Sequence, residues 1–126
     1  MYRYSSNITF LYYNNLLYGS YFMENILGLP MVMDQGFAKI YQVNKTSFIG
    51  IVKLSKEVTY KGNTLVSLNT NNVQKEYKRI SKLDVFNLSE IQHIAQIPLD
   101  SFFFKDKEGH EFEIEEFLSE KDKKTY

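Results

Sequence analysis

Asp106-Lys107-Glu108-Gly109-His110-Glu111-Phe112-Glu113-Ile114-Glu115-Glu116-Phe117 is the stretch on which the fold turns. Asp106 to Gly109 has the composition of a tight turn, with a glycine for the conformation other residues avoid. His110 to Phe117 then reads as a strand. Successive side chains of a strand point to opposite faces. His110, Phe112 and Ile114 therefore share one face, and Glu111, Glu113 and Glu115 share the other. The apolar set suits packing under a helix, and the three carboxylates suit water or a polar cleft.

Working outward, Leu99 to Lys105 is a firm strand before this turn, and Ile91 to Ile97 is weak strand material. Val73, Tyr77 and Ile80 sit at helical spacing behind Asn71-Asn72, whose side chains suit a helix N-cap. Asn63 to Thr70 alternates as a strand. The first half repeats this order. Asn7 to Tyr13 is an extended run, Asn14-Asn15 caps a helix reaching Leu27, and Gly28 and Pro30 end it. Met31 to Asp34, Phe37 to Val43 and Ser47 to Lys53 follow as strands. Ser47, Ile49 and Ile51 lie on one face of the last, and Phe48, Gly50 and Val52 on the other. Leu54 to Gly62 reads as the crossover between halves, and residues 119–126 as a charged, flexible tail. The fold class is α+β, with two βαβββ modules at about 7–53 and 63–117 in one domain of 126 residues.

Composition removes several function classes. Fifteen Lys and Arg balance fifteen Asp and Glu, so the chain has no global field for nucleic acid or anionic lipid. No partner of either kind is expected. No cysteine is present, which excludes disulfides, thiolate nucleophiles and cysteine metal sites, and fits the cytoplasm. No apolar run approaches the roughly 18 residues of a spanning helix. The glycines stand apart and form no phosphate loop, and no nucleophile elbow occurs.

The βαβββ–βαβββ order, Leu27-Gly28-Leu29-Pro30 and the Asp106 to Glu113 segment together resemble the vicinal oxygen chelate superfamily. That group includes glyoxalase I, extradiol dioxygenases, and the fosfomycin and bleomycin resistance proteins. The resemblance implies a concave mixed sheet per module, a cup between modules around a divalent metal, and a homodimer. Metal-bearing members place one ligand on the first and one on the last strand of each module. Carried onto this chain, those positions are Ile8, Gly50, Leu65 and Glu113. Glu113 alone can ligate, and a hard divalent ion wants several oxygen or nitrogen donors. No cofactor is therefore expected, and a divalent metal is disfavoured.

Glu113 is the candidate general acid/base or ligand anchor, since apolar neighbours would desolvate it. Ile8, Phe10, Tyr12, Tyr41, Phe48, Leu65 and Phe103 are the candidate lining of a ligand cavity. Aromatics of this kind equally build cores and dimer interfaces. His93 and His110 are the only histidines. A surface role for the first and a structural or surface role for the second outweigh catalysis, since neither shows a convincing Ser, Cys or Asp partner along the chain. The leading expectation is a glyoxalase- or bleomycin-resistance-like protein without metal, holding a small organic molecule in the cup. A lyase or isomerase using Glu113 as base or metal ligand is the alternative. A structural, partner-binding module with its cup filled by its own aromatics is the third.

Overall fold

The computed structural model describes residues 2–55 and 64–126. The chain divides into two compact units, 1–62 and 63–126. Each holds a four-stranded mixed sheet with a helix following its first strand. The fold is α+β.

In the first unit, β1 (Asn7–Tyr13) leads to α1 (Leu16–Tyr21), then β2 (Met31–Asp34), β3 (Ala38–Gln42) and β4 (Ser47–Lys53). The sheet order is β1-β4-β3-β2, with β1 parallel to β4 and the other pairs antiparallel. Asn15 caps α1, its side chain accepting from the Tyr18 N–H at 3.0 Å. The sequence predicts one continuous α-helix to Leu27. Instead the chain widens into a π turn over Phe22–Ile26, closed by the Leu27 N–H donating to the Phe22 carbonyl. Phe22, Met23 and Ile26 in that turn are completely buried. Gly28 then takes φ +71°, the left-handed conformation the sequence assigns to it. Gly19 lets α1 approach the sheet closely: a β-carbon there would lie 3.1 Å from Ile51 Cδ1 and from the Tyr13 ring. Leu11, Tyr13, Tyr41, Ile49 and Ile51 form the buried helix side of this sheet.

In the second unit, β5 (Leu65–Asn69) leads to α2 (Val73–Ile80), then β6 (Gln92–Ile94), β7 (Leu99–Lys105), β8 (Glu111–Phe117) and α3 (Glu120–Thr125). The sheet order β5-β8-β7-β6 repeats that of the first, again with the first strand parallel to the last. Asn72 caps α2 through the Lys75 N–H at 3.0 Å. Glu116 Oε1 accepts from the Val73 N–H at 3.0 Å, tying the helix start to β8. Under α2, Phe102, Phe104 and Phe112 form a stack completed by Tyr77, which meets Phe102 edge-on at 5.0 Å. Burying each such side chain contributes about 1.5–3 kcal/mol.

The expected weak strand of 91–97 shrinks to Gln92–Ile94. The tail expected to be frayed is a helix over Glu120–Thr125. Ser119 caps it through the Asp122 N–H, and Tyr126 stacks on Phe117 at 4.6 Å. A serine cap, acidic residues in the first turn and lysines in the last complement the helix dipole there. The crossover assigned to 54–62 lies largely outside the described residues, as does Asn63 at the start of the alternating run. No helix among the described residues is long and apolar enough to cross a membrane.

Candidate functional site

Strand register sorts the sequence-predicted site residues, because cross-strand partners share a sheet face. In the first unit, Ile8 pairs with Phe48, Phe10 with Gly50 and Tyr12 with Val52, all on the face away from α1. The sheet thus brings Ile8, Phe10, Tyr12 and Phe48 together. Ile8 and Phe10 remain 44% exposed, an uncommon state for two large apolar side chains on one sheet face. Gly50 lies beneath Phe10: a β-carbon at residue 50 would stand 2.4 Å from Phe10 Cε1.

Tyr41 does not join this group. It pairs with Ile49, on the helix side, and is completely buried. Its hydroxyl donates to Glu24 Oε2 at 2.8 Å. Burial pushes its pKa up to about 12, with the Glu24 carboxylate adding to the rise. Assignment of Tyr41 to a ligand cavity is therefore corrected. Alternation along β3 aims its neighbours Ile40 and Gln42 at the opposite face.

In the second unit, Leu65, Phe103 and Glu113 do share the face away from α2. Phe103 pairs directly with Glu113, and Leu65 with Glu111. Glu113 is only 8% exposed, so the desolvated carboxylate read from the sequence is present. Its partner is Ser67, whose hydroxyl donates to Glu113 Oε1 across the β5–β8 ladder. Glu115, half-buried beside it, has its carboxyl pKa raised by burial and by the Glu113 charge. Ser101, opposite Glu115, is completely buried, and its hydroxyl has no hydrogen-bond partner among the described residues. Leu65, Phe103, Lys105 and Glu111 of this face line, with Asn87, Phe104 and Phe112, a cavity of about 230 Å³.

Ser67, Ser101 and Glu115 were not singled out as site residues by the sequence. Alternation placed Glu115 beside Glu113, but only the register of β5 and β7 brings the two serines to them. Of the four positions that the resemblance would give to metal ligands, Ile8, Gly50 and Leu65 offer no side-chain donor atom, and Glu113 is the exception. Among the described residues no three His, Cys, Asp or Glu side chains gather as a metal-holding group.

The histidines require a correction. Each has an aspartate partner that chain order conceals. His93 Nδ1 lies 2.6 Å from Asp100 Oδ1 across the β6–β7 pair, with the ring more than half exposed on the α2 side of the sheet. His110 Nδ1 lies 2.9 Å from Asp106 Oδ2 inside the turn. Asp106 Oδ1 also accepts from the backbone N–H groups of Glu108 and His110, each at 3.0 Å, and its carboxylate is fully buried. This second pair is the internal scaffold of the turn before β8.

No family model matches the sequence, and no curated protein matches it. Solved structures do resemble it. Integron cassette protein HFX_CASS4, from the mobile metagenome of a Halifax Harbour sewage outfall, superposes with a TM-score of 0.76 at 15% identity, over 89% of this chain and 97% of that one. A glyoxalase/bleomycin resistance protein/dioxygenase family enzyme from Burkholderia phytofirmans PsJN gives 0.73 at 13% identity, over 88% and 97%. The fosfomycin resistance protein FosX from Mesorhizobium loti gives 0.69 at 15% identity, over 98% of both chains. Two strand–helix–three-strand units, with the first strand of each parallel to its last, give this chain the fold of the glyoxalase/bleomycin resistance protein/dioxygenase superfamily.

Proposed function

We propose that the protein binds a small organic molecule without a resident metal, on the face of the second sheet away from α2, with Glu113 as its polar anchor. The observation that carries this reading is a buried carboxylate held by Ser67, set beside Phe103 and Leu65 near a cavity of about 230 Å³. Burying a carboxylate is costly unless its oxygens are satisfied, and Ser67 occupies only part of that capacity. The cavity, lined by Leu65 and Phe103 of this face and not by Glu113 itself, falls below the roughly 300–1,000 Å³ of drug-sized sites, which favours a compact ligand. At the four positions that the resemblance would give to metal ligands, Glu113 is the one side-chain donor, too few for a divalent ion. Metal analysis of tag-free protein, with mass spectrometry of whatever copurifies, tests both halves. A stoichiometric metal at Glu113 with two further protein ligands overturns the reading.

We also propose a cytoplasmic homodimer. The edge strand β2 exposes Met31, Val32 and Met33, and Phe37 just beyond is 67% exposed. Edges of this kind are normally covered. A cysteine-free chain suits a reducing compartment. Sedimentation showing only a 14.9 kDa species at micromolar concentration counts against the dimer.

A further inference from the structure

We propose that the ligand recognised by the face of the second sheet away from α2 is a primary ammonium bearing a small apolar body, bound through Glu113, Glu115 and Ser101. This rests on the binding reading above and adds the chemistry of the ligand.

The charge inventory of the face comes first. Glu111, Glu113 and Glu115 of β8 all lie on it, and Lys105 is the lone Lys or Arg among its strand residues. Lys105 Nζ lies 3.6 Å from Glu111 Oε1, so that pair accounts for itself. Glu113 accepts from Ser67, a neutral donor that leaves the negative charge in place. No cation or side-chain donor reaches the Glu115 carboxylate among the described residues. Two adjacent, partly desolvated carboxylates thus have no cation within ion-pair distance among the described residues, and burial and the Glu113 charge raise the pKa of Glu115.

Ser101 is a separate observation pointing to the same place. Its hydroxyl is fully buried, in register with Glu115, and without a hydrogen-bond partner among the described residues. Buried hydroxyls are nearly always hydrogen-bonded, so one left unmade beside two uncompensated carboxylates marks a place for an external group. An ammonium fits all three requirements. It brings a positive charge and three N–H donors, enough for one bond each to Glu113, Glu115 and the Ser101 oxygen. A carboxylate ligand would add a third like charge, and an alcohol would leave both charges uncompensated. Residues two apart on a strand stand roughly 6.5 Å apart at Cα, which suits nitrogen–oxygen bonds of about 2.8 Å better than the shorter bonds of a small metal ion. Phe103, directly opposite Glu113, and Leu65, 47% exposed, offer apolar surface for the body of the molecule.

The test uses the whole chain and three matched probes, 2-phenylethylammonium, 2-phenylethanol and 3-phenylpropanoate, followed by NMR at the Ser101, Glu113 and Glu115 amides. The ammonium is expected to shift these amides saturably, and the other two to bind at least about tenfold more weakly. E115Q and S101A are each expected to weaken the ammonium about tenfold, with circular dichroism unchanged. Equal binding of the alcohol or the carboxylate at the same amides overturns the ammonium and leaves the small-molecule reading standing. No shift from any probe at millimolar concentration overturns both. Stronger perturbation of these amides by Mn²⁺ than by the ammonium overturns both in favour of a metal.

Discussion

Ser67 and Glu113 stand opposite each other in the β5–β8 ladder, and the serine hydroxyl donates to the glutamate Oε1. This one bond makes an 8% exposed carboxylate tolerable in the sheet. Ser67→Ala is expected to cost about 1.5–3 kcal/mol, the range for a hydrogen bond to a charged group. Urea unfolding checks it. In a Glu113→Gln background the same substitution should cost less, with a coupling above about 0.5 kcal/mol. Additive losses would remove the bond from the account of stability.

Glu115 sets a pH dependence. Its carboxyl pKa is raised in the folded chain, so folding favours its protonated form. That contribution is fully present below the unfolded glutamate value of about 4.3 and is lost as pH rises through the folded value. The groups facing it are Glu113 on its own strand, Ser101 on β7 and Asn69 on β5. Glu115→Gln is therefore expected to be more stable than the wild type at pH 7, with the difference closing below about pH 4. Paired melting curves across that range measure it, and a difference that widens towards acid contradicts it.

Phe10 over Gly50 makes a steric prediction. In Gly50→Ala the new methyl would meet the Phe10 ring at 2.4 Å and Ile40 Cδ1 at 3.1 Å. The Phe10 ring is partly exposed and can swing outward, so the cost should fall near the low end of overpacking, about 1 kcal/mol. A Phe10→Ala background should absorb most of it. Full cost in both backgrounds would place the strain at Ile40 instead.

Asp106 holds the turn before β8 through two backbone N–H groups and the His110 ring. Its carboxylate is fully buried, so Asp106→Ala should destabilise the fold by about 3 kcal/mol, leaving several donors unmade. Asp106→Asn keeps one acceptor oxygen and should recover part of the loss. Chemical denaturation of the two variants ranks them, and equal losses would assign the effect to charge alone.

Tyr41 should titrate far above an ordinary tyrosine. Burial pushes its hydroxyl up to about 12. The ultraviolet difference titration between wild type and Tyr41→Phe should show no phenolate from this residue until pH approaches that value. A normal transition near 10 would place the ring in water.

Much of the fold was legible because strands and helices write their faces into the chain at fixed periods. The bounds of β1, β2, β4 and β7 agree with the sequence reading residue for residue. Both Asn caps and the left-handed Gly28 lay within reach of local chemistry. The π turn and α3 were less legible. One depends on how Phe22, Met23 and Ile26 bury together, the other on Ser119 and on Tyr126 reaching Phe117.

For the site, alternation alone determined that Glu111, Glu113 and Glu115 share a face opposite Phe112 and Ile114. That rule needs no partner strand. What surrounds those carboxylates was decided by tertiary structure. Register brings Ser67 to Glu113 and Ser101 to Glu115, joins His93 to Asp100, and sends Tyr41 to the helix side. A strand's own sequence specifies which residues point the same way, and only hydrogen bonding to its neighbours specifies what each of them meets.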